Sequence, residues 1–350
     1  MSGFDMKNDT HRRYNPLTGE WMLVSPHRGK RPWQGQQETP VSLNLPEYDE
    51  TCYLCPGNSR AGGVQNPKYN GPFVFTNDFS AITPNISDGA VDDGLFQAKS
   101  EKGICRVICF SPYHNKTVPQ LSSDEMFDVV KVWQREYKSL GSKDFINHIQ
   151  IFENKGAAMG CSNPHPHCQI WAQQSIPEIV TKEDFRQKTY FEQHAKPLLQ
   201  EYVEQELQRD ERVIYENDSF VALVPFWATW PFEVMMLPKV SKPSIATLND
   251  AELRDFSDMY REVTCKYDNL FDISFPYSAG VHQAPTDGGK YDYWTMHMHF
   301  YPPLFRSATV KKFMVGYEMM AEPQRDITAE QGATILKKLP TVYFHAGNNK

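Results

Sequence analysis

At 350 residues the chain is long enough for a large core, built either as two domains or as one sheet-based unit. Its formal net charge of −7, with no long Lys/Arg run, excludes the electrostatic footprint of a nucleic-acid binder, and no apolar run approaches the roughly 20 residues of a bilayer span. Seven cysteines spread through a long chain argue for free thiols or metal ligands and against a disulfide framework, so a soluble, cytoplasmic protein is expected.

In chain order, the polar start leads to SPHRGKRPW, where Arg28 and Arg31 are candidate phosphate-binding cations. CYLCPGNSR then sets Cys52 and Cys55 at the C-x-x-C spacing in a Pro/Gly-bounded loop, where two thiolates can share one zinc. FVFTNDFSAITP follows. A β-branched run, CRVICF, and a polar connection precede Ser122-x-x-Glu125, which opens an amphipathic stretch that stops at Gly141: a strand, then a capped helix. NHIQIFENKG reads as another strand, and the turn ENKGAAMGCSN offers backbone N–H groups to an anion.

From ENDSFVALVPFWATWP onward the order repeats. FEVMMLPKV is a strand, Leu248, Glu252, Leu253 and Asp255 echo Leu121, Glu125, Met126 and Asp128, and FPYSAGVHQAP is again β-like. Each series ends in a His-x-His, His165/His167 in the first and His297/His299 in the second. The expected architecture is α+β, a duplicated strand-helix-strand-strand unit forming a mostly antiparallel sheet flanked by helices, with halves at 1–195 and 196–350.

If residues 165–171 are extended, His165, His167 and Gln169 share one face and Cys168 and Ile170 the other. Two readings stay open for NPHPHCQIW: both histidines hold one metal, or His165 joins Cys52, Cys55 and His114 while His167 is left as a neutral nucleophile beside an amide donor. His297 and His299 can share a second metal with His282 and a carboxylate, Glu183 or Asp184; spacing does not choose between them. Lys311 and Lys312 are further candidate phosphate cations, and neither a Walker loop nor G-x-G-x-x-G is present.

CxLCPGN, FTNDF, FENKGAAMGCSNPHPH, VPFWATWPFE and HFYPPLFRSATVKKFMVGYEM together resemble the galactose-1-phosphate uridylyltransferase family, from about Tyr14 onward. The resemblance implies a duplicated histidine-triad fold, a homodimer with shared active sites, and ping-pong exchange of a uridylyl group between UDP-glucose and galactose-1-phosphate. On matching motif positions it makes His167 the nucleophile and Gln169 the holder of the phosphoryl oxygens. It assigns zinc to Cys52, Cys55, His114 and His165, and a second iron or zinc to Glu183, His282, His297 and His299. Nucleotide contacts fall on Phe75, Asn77, Asp78, Phe79, Asn154, Gly160, Cys161 and Ser162, with Arg28 and Arg31 near the phosphates. Lys311, Phe313, Val315, Gly316, Tyr317, Glu318 and Gln324 serve the sugar phosphate across the dimer interface. Cys168 replaces a glycine of some relatives and is expected to point away from the reacting face, while GVHQAP stands where Trp-His-Gly is common.

Two other readings make different demands. A dinucleoside polyphosphate phosphorylase passes the nucleotidyl group to inorganic phosphate through a similar histidine, and a non-catalytic metal-stabilised binding protein makes His167 a ligand or inert.

Overall fold

The computed structural model describes residues 3–30, 34 and 45–344. Nine strands make one sheet: β1 (Phe73–Thr76), β2 (Gly103–Cys109), β3 (His148–Lys155), β4 (His167–Gln173), β5 (Val213–Glu216), β6 (Phe220–Leu223), β7 (Val234–Pro238), β8 (Tyr277–His282) and β9 (His297–Tyr301). Their spatial order is β1-β2-β4-β3-β8-β9-β7-β6-β5, and every pairing is antiparallel. The order 1-2-4-3 meeting 8-9-7-6 is a palindrome, as a duplicated unit joined edge to edge requires. The fold is α+β, as the repeated pattern implies.

Two long helices follow corresponding strands, α1 (Ser123–Gly141) after β2 and α4 (Asp250–Phe271) after β7, while α2 (Glu178–His194) and α3 (Leu198–Arg209) link the halves. Ser122 and Asn249 close matching capping boxes with Glu125 and Glu252, satisfying N–H groups that each helix start would otherwise leave open. Alternation along the strands then sorts the two faces. Ile108, Ile151, Ile170, Met236, Met298 and Phe300 pack in one core with Trp133 of α1 and with Phe256 and Tyr260 of α4. On the opposite face α3 covers β6 and β7 through Leu199 and Val203, and the Cys52–Cys55 loop covers β1 and β2 through Leu54. The middle strands β4, β3, β8 and β9 are left to carry polar side chains on that face.

The two halves meet where β3 pairs with β8, with Glu153 opposite Ala279. Glu153 is buried and accepts hydrogen bonds from Tyr260 of α4 and Tyr277 of β8, and Lys155 donates to Asp268 at 2.7 Å alongside. Burial pushes the Glu153 carboxyl up to about 7, against the lowering effect of the tyrosine hydroxyls and Lys155. The folded protein therefore keeps a proton that the unfolded chain releases near pH 4.5, so stability falls as pH rises from there through about 7. The expected outcome for Glu153→Gln, which carries no charge, is a flatter profile: denaturant unfolding at pH 5 and pH 8 should show the native protein losing about 2.5 kcal/mol relative to the variant.

Candidate active site and metal centres

The C-x-x-C turn and the segment before β4 bring Cys52, Cys55, His114 and His165 together, all buried, with one donor atom from each within 4.8 Å of the others. Cys55 Sγ lies 3.7 Å from His114 Nδ1 and 3.6 Å from His165 Nδ1. Tetrahedral zinc at ordinary Zn–S and Zn–N distances separates a sulfur and a nitrogen by about 3.5 Å, so the donor set fits that ion. The surroundings orient the ligands. His165 Nε2 donates to the Ser111 carbonyl at 2.9 Å, turning Nδ1 toward the sulfurs, and Asn163 donates to Cys52 Sγ at 3.4 Å. Asp49 Oδ2 stands 3.9 Å behind His114 Nε2. Burial pushes the Cys55 thiol up to about 11 and the His165 imidazole down to about 4, so a cation is what would make the buried Cys55 thiol a thiolate.

A second cluster gathers Glu183 from α2, His282 at the end of β8, and His297 and His299 on β9. His282 Nδ1 lies 2.9 Å from both Glu183 oxygens and His297 Nε2 lies 3.5 Å from one of them. His297 Nδ1 donates to the Thr295 carbonyl at 2.9 Å, which fixes Nε2 toward the carboxylate. His297 Nε2 and both nitrogens of buried His299 have no hydrogen-bond partner. Three imidazoles and a carboxylate with orphaned lone pairs fit a divalent transition ion. Burial raises the Glu183 carboxyl, and the neighbouring His282 and His297 outweigh it, holding the acid well below the usual carboxylate range. Asp184, the other carboxylate open to choice, instead accepts from Tyr293 at 2.8 Å.

Between these clusters a cavity is lined by Phe152, Asn154, Gly160, Cys161, Ser162, His167, Cys168 and Gln169. His167 Nδ1 donates to the His165 carbonyl at 2.7 Å, so Nε2 is the nitrogen with a lone pair to offer. Burial lowers the pKa of the ring, against a raising effect from that backbone bond, and keeps it neutral at pH 7. Gln169 Oε1 accepts from Trp171 Nε1 at 3.1 Å and Asn77 Nδ2 at 3.4 Å, which leaves its NH₂ group as a donor. Ser278 donates to Asn154 Oδ1 at 2.7 Å and turns that amide in the same way. The Gly156–Gly160 turn needs positive φ at both glycines, 86° and 77°, and holds the backbone open beside the cavity. Cys168 turns its side chain into the core beneath α1, away from this face. Val281 and Gln283 are buried beside His282, and Gln283 accepts from the Ile245 N–H at 2.8 Å.

The remaining sequence-predicted residues lie further out. Phe75 is buried against the Cys loop, Asp78 faces Arg60 at 3.4 Å, and Phe79 is exposed. Arg28 is half exposed, 3.6 Å from Asp326, and Arg31 lies outside the described residues. Lys311, Phe313, Val315, Gly316, Tyr317, Glu318 and Gln324 do not line the cavity within one chain. Phe313, Val315 and Tyr317 are exposed, Gly316 has φ 51°, and Gln324 is buried in a short strand parallel to Glu20–Val24. The lysine that meets Glu318, at 2.7 Å, is Lys312. Trp171, Asn163 and Ser111 are orienting groups absent from the sequence reading. Strand alternation could have found Trp171; the other two act through contacts that only the fold creates.

Residues 2–177 match the domain described as "Galactose-1-phosphate uridyl transferase, N-terminal domain", and residues 183–348 match its C-terminal counterpart. The chain belongs to the galactose-1-phosphate uridyl transferase family. It is 52% identical to the galactose-1-phosphate uridylyltransferase of Haemophilus influenzae over 97% of both chains, and 48% identical to that of Rattus norvegicus over 97% of this chain and 90% of the relative. Membership makes it a uridylyltransferase enzyme. Among solved structures, one described as "Structure of uridylyltransferase" superposes with TM-score 0.74 at 25% identity, covering 94% of this chain and 97% of the other. An ADP-glucose phosphorylase from Arabidopsis thaliana shares the fold, with TM-score 0.76 at 22% identity over 95% of this chain and 100% of the other.

The donor chemistry of the two clusters separates them experimentally. Cobalt(II) added to metal-stripped protein should produce sulfur-to-metal charge-transfer absorption that the double substitution Cys52→Ser with Cys55→Ser abolishes and His299→Ala retains. Loss of the band in both variants would show that the clusters are not independent.

Proposed function

We propose that the chain transfers a uridylyl group from UDP-glucose to galactose-1-phosphate, giving glucose-1-phosphate and UDP-galactose in galactose metabolism. The observation that carries this reading is the fixed ring of His167, whose Nδ1 is held by the His165 carbonyl beside the Gln169 amide. In the first step Nε2 attacks the α-phosphorus of UDP-glucose. A P–N bond forms, the P–O bond to glucose-1-phosphate breaks, and the electron pair leaves on an oxygen that is already part of a phosphate and needs little acid assistance. Gln169 donates to a phosphoryl oxygen as charge develops there. In the second step a phosphate oxygen of galactose-1-phosphate attacks the uridylyl-His167 phosphorus, breaks the P–N bond and restores the neutral imidazole. Two in-line displacements return the original configuration at phosphorus.

Asn154, Gly160, Cys161 and Ser162 line the cavity and serve the nucleotide and its phosphates together with Phe75, Asn77, Asp78, Phe79, Arg28 and Arg31. The segment carrying Lys311, Phe313, Val315, Gly316, Tyr317, Glu318 and Gln324 lies away from the cavity of its own chain, which supports its serving the sugar phosphate in the active site of a second subunit of a homodimer. Zinc at Cys52, Cys55, His114 and His165 would tie the Cys52–Cys55 loop to the segment before β4, and iron or zinc at Glu183, His282, His297 and His299 would tie α2 to β8 and β9. The halves divide at 1–195 and 196–350. The metabolic role supports a cytoplasmic place of action; among the described residues no helix is long and apolar enough to cross a membrane.

Incubation with UDP-glucose labelled in the uridylyl group, without acceptor, should give an acid-labile adduct on a peptide spanning Asn163 to Trp171, discharged by galactose-1-phosphate. Discharge by phosphate or water alone would assign a phosphorylase or hydrolase instead. His167→Ala should keep both metals and the fold while abolishing exchange, whereas metal loss in that variant would favour a binding protein. Gln169→Ala should lower kcat by about 10²-fold with intact metal content, as loss of one oxyanion donor does.

A further inference from the structure

We infer that Arg60 is a positioning residue for the nucleotide, through which the Cys52–Cys55 loop acts on substrate binding; the inference rests on the uridylyltransfer reading above. Arg60 follows directly on the metal-ligating turn in CPGNSR and is locked to it. Asn58 donates its side-chain amide to the carbonyls of Cys52 and Asp49, at 2.8 and 2.9 Å, and its N–H to the Cys55 carbonyl at 3.3 Å. The Arg60 N–H donates to the Val64 carbonyl at 2.7 Å.

The side chain then leaves the loop and reaches the end of β1. Its guanidinium carbon lies 3.9 Å from the centre of the Phe75 ring, and Nη1 lies 3.4 Å from Asp78 Oδ1. Only 10% of the side chain is exposed, and Nε and Nη1 are buried without a hydrogen-bond acceptor. A cation so far removed from water, given one aromatic face and one carboxylate, is a costly element for mere packing. A planar guanidinium can hold a ring face and a carboxylate at once, which an ammonium cannot.

What it holds bears on the reaction. Phe75 and Asp78 flank Asn77, whose Oδ1 accepts from the Phe79 N–H at 2.9 Å and whose carbonyl accepts from Ser80 Oγ at 2.7 Å, so residues 77–80 turn as one unit. Asn77 Nδ2 reaches Gln169, the amide beside His167. Displacing the Arg60 cation releases this turn on the nucleotide side, while the His167 ring keeps its own backbone anchor. The consequence falls on nucleotide affinity before it falls on chemistry.

The test uses UMP, which binds without reacting, measured by calorimetry on the metal-loaded protein. Arg60→Met should weaken UMP binding about tenfold and raise KM for UDP-glucose more than it lowers kcat, with unchanged metal content and thermal midpoint. Arg60→Lys, which keeps the charge and loses the planar face, should recover part of that affinity. In an Arg60→Met background, Asp78→Asn should add less than it costs alone, because the pair acts together. Unchanged UMP affinity in a folded Arg60→Met protein would overturn the inference. Should that variant fail to fold, wild-type affinity in Arg60→Lys would overturn it equally. Failure of the wild-type protein itself to bind UMP would instead overturn the nucleotide reading on which the inference rests.

Discussion

The β3–β8 pairing is the constraint from which the site follows. It joins two copies of one unit into a continuous sheet and fixes a register in which Asn154 stands opposite Ser278 and Glu153 opposite Ala279. Because side chains alternate, that register sends Asn154 toward the cavity and Glu153 into the core beneath α4. A slip of one residue would exchange them, burying an amide without Ser278 and exposing the carboxyl that Tyr260 and Tyr277 satisfy. The cavity face of one half and the Glu183–His299 cluster of the other share a surface because the register at this seam is held.

On that surface one backbone device gives different roles to similar residues. His167 Nδ1 donates to the carbonyl of residue 165, and His297 Nδ1 donates to the carbonyl of residue 295, so each presents Nε2 outward from its strand. What Nε2 meets then decides the chemistry. In the second half it meets Glu183, delivered by α2, and the imidazole stands among metal donors. In the first half no carboxylate is among the described residues that line the cavity, which remains beside a neutral ring. His165 differs again, since its Nε2 is taken by Ser111 and its Nδ1 faces Cys55. The proline between His165 and His167 joins a ring committed to one ligand set to a ring kept from any.

Local rules made much of this legible before any coordinates. The capping signals at Ser122 and Asn249 mark both long helices, and the period of two in NPHPHCQIW places His167 and Gln169 together while burying Cys168. These patterns depend on near neighbours in sequence. What the sequence leaves open depends on pairing across the fold. The choice between Glu183 and Asp184 is made by the rotation of α2 over β8 and β9, and the choice of Lys312 as Glu318's partner is made by a hairpin in which Lys311 pairs with Leu304 and the Lys312 N–H bonds Pro303. Likewise Arg60 lies in a loop whose composition suggests only a turn, and its burial against Phe75 appears once β1 has joined the sheet.

The two metal clusters consequently stand in different relations to the cavity. The first is continuous with it through the backbone: His165 is a member of the cluster and its carbonyl also anchors the His167 ring. Any shift in that donor set therefore moves His167 directly, and moves Gln169 through Asn77. The second cluster draws Glu183 from α2, so it ties a connecting helix to the sheet and meets the cavity only across β8 and β3. Orientation of His167 and Gln169 accordingly depends more tightly on the cysteine-containing cluster, and the placement of α2 on the histidine–glutamate one. The protein gathers a donor set that fits a metal twice, once beside His167 and Gln169 and once on the scaffold that carries them.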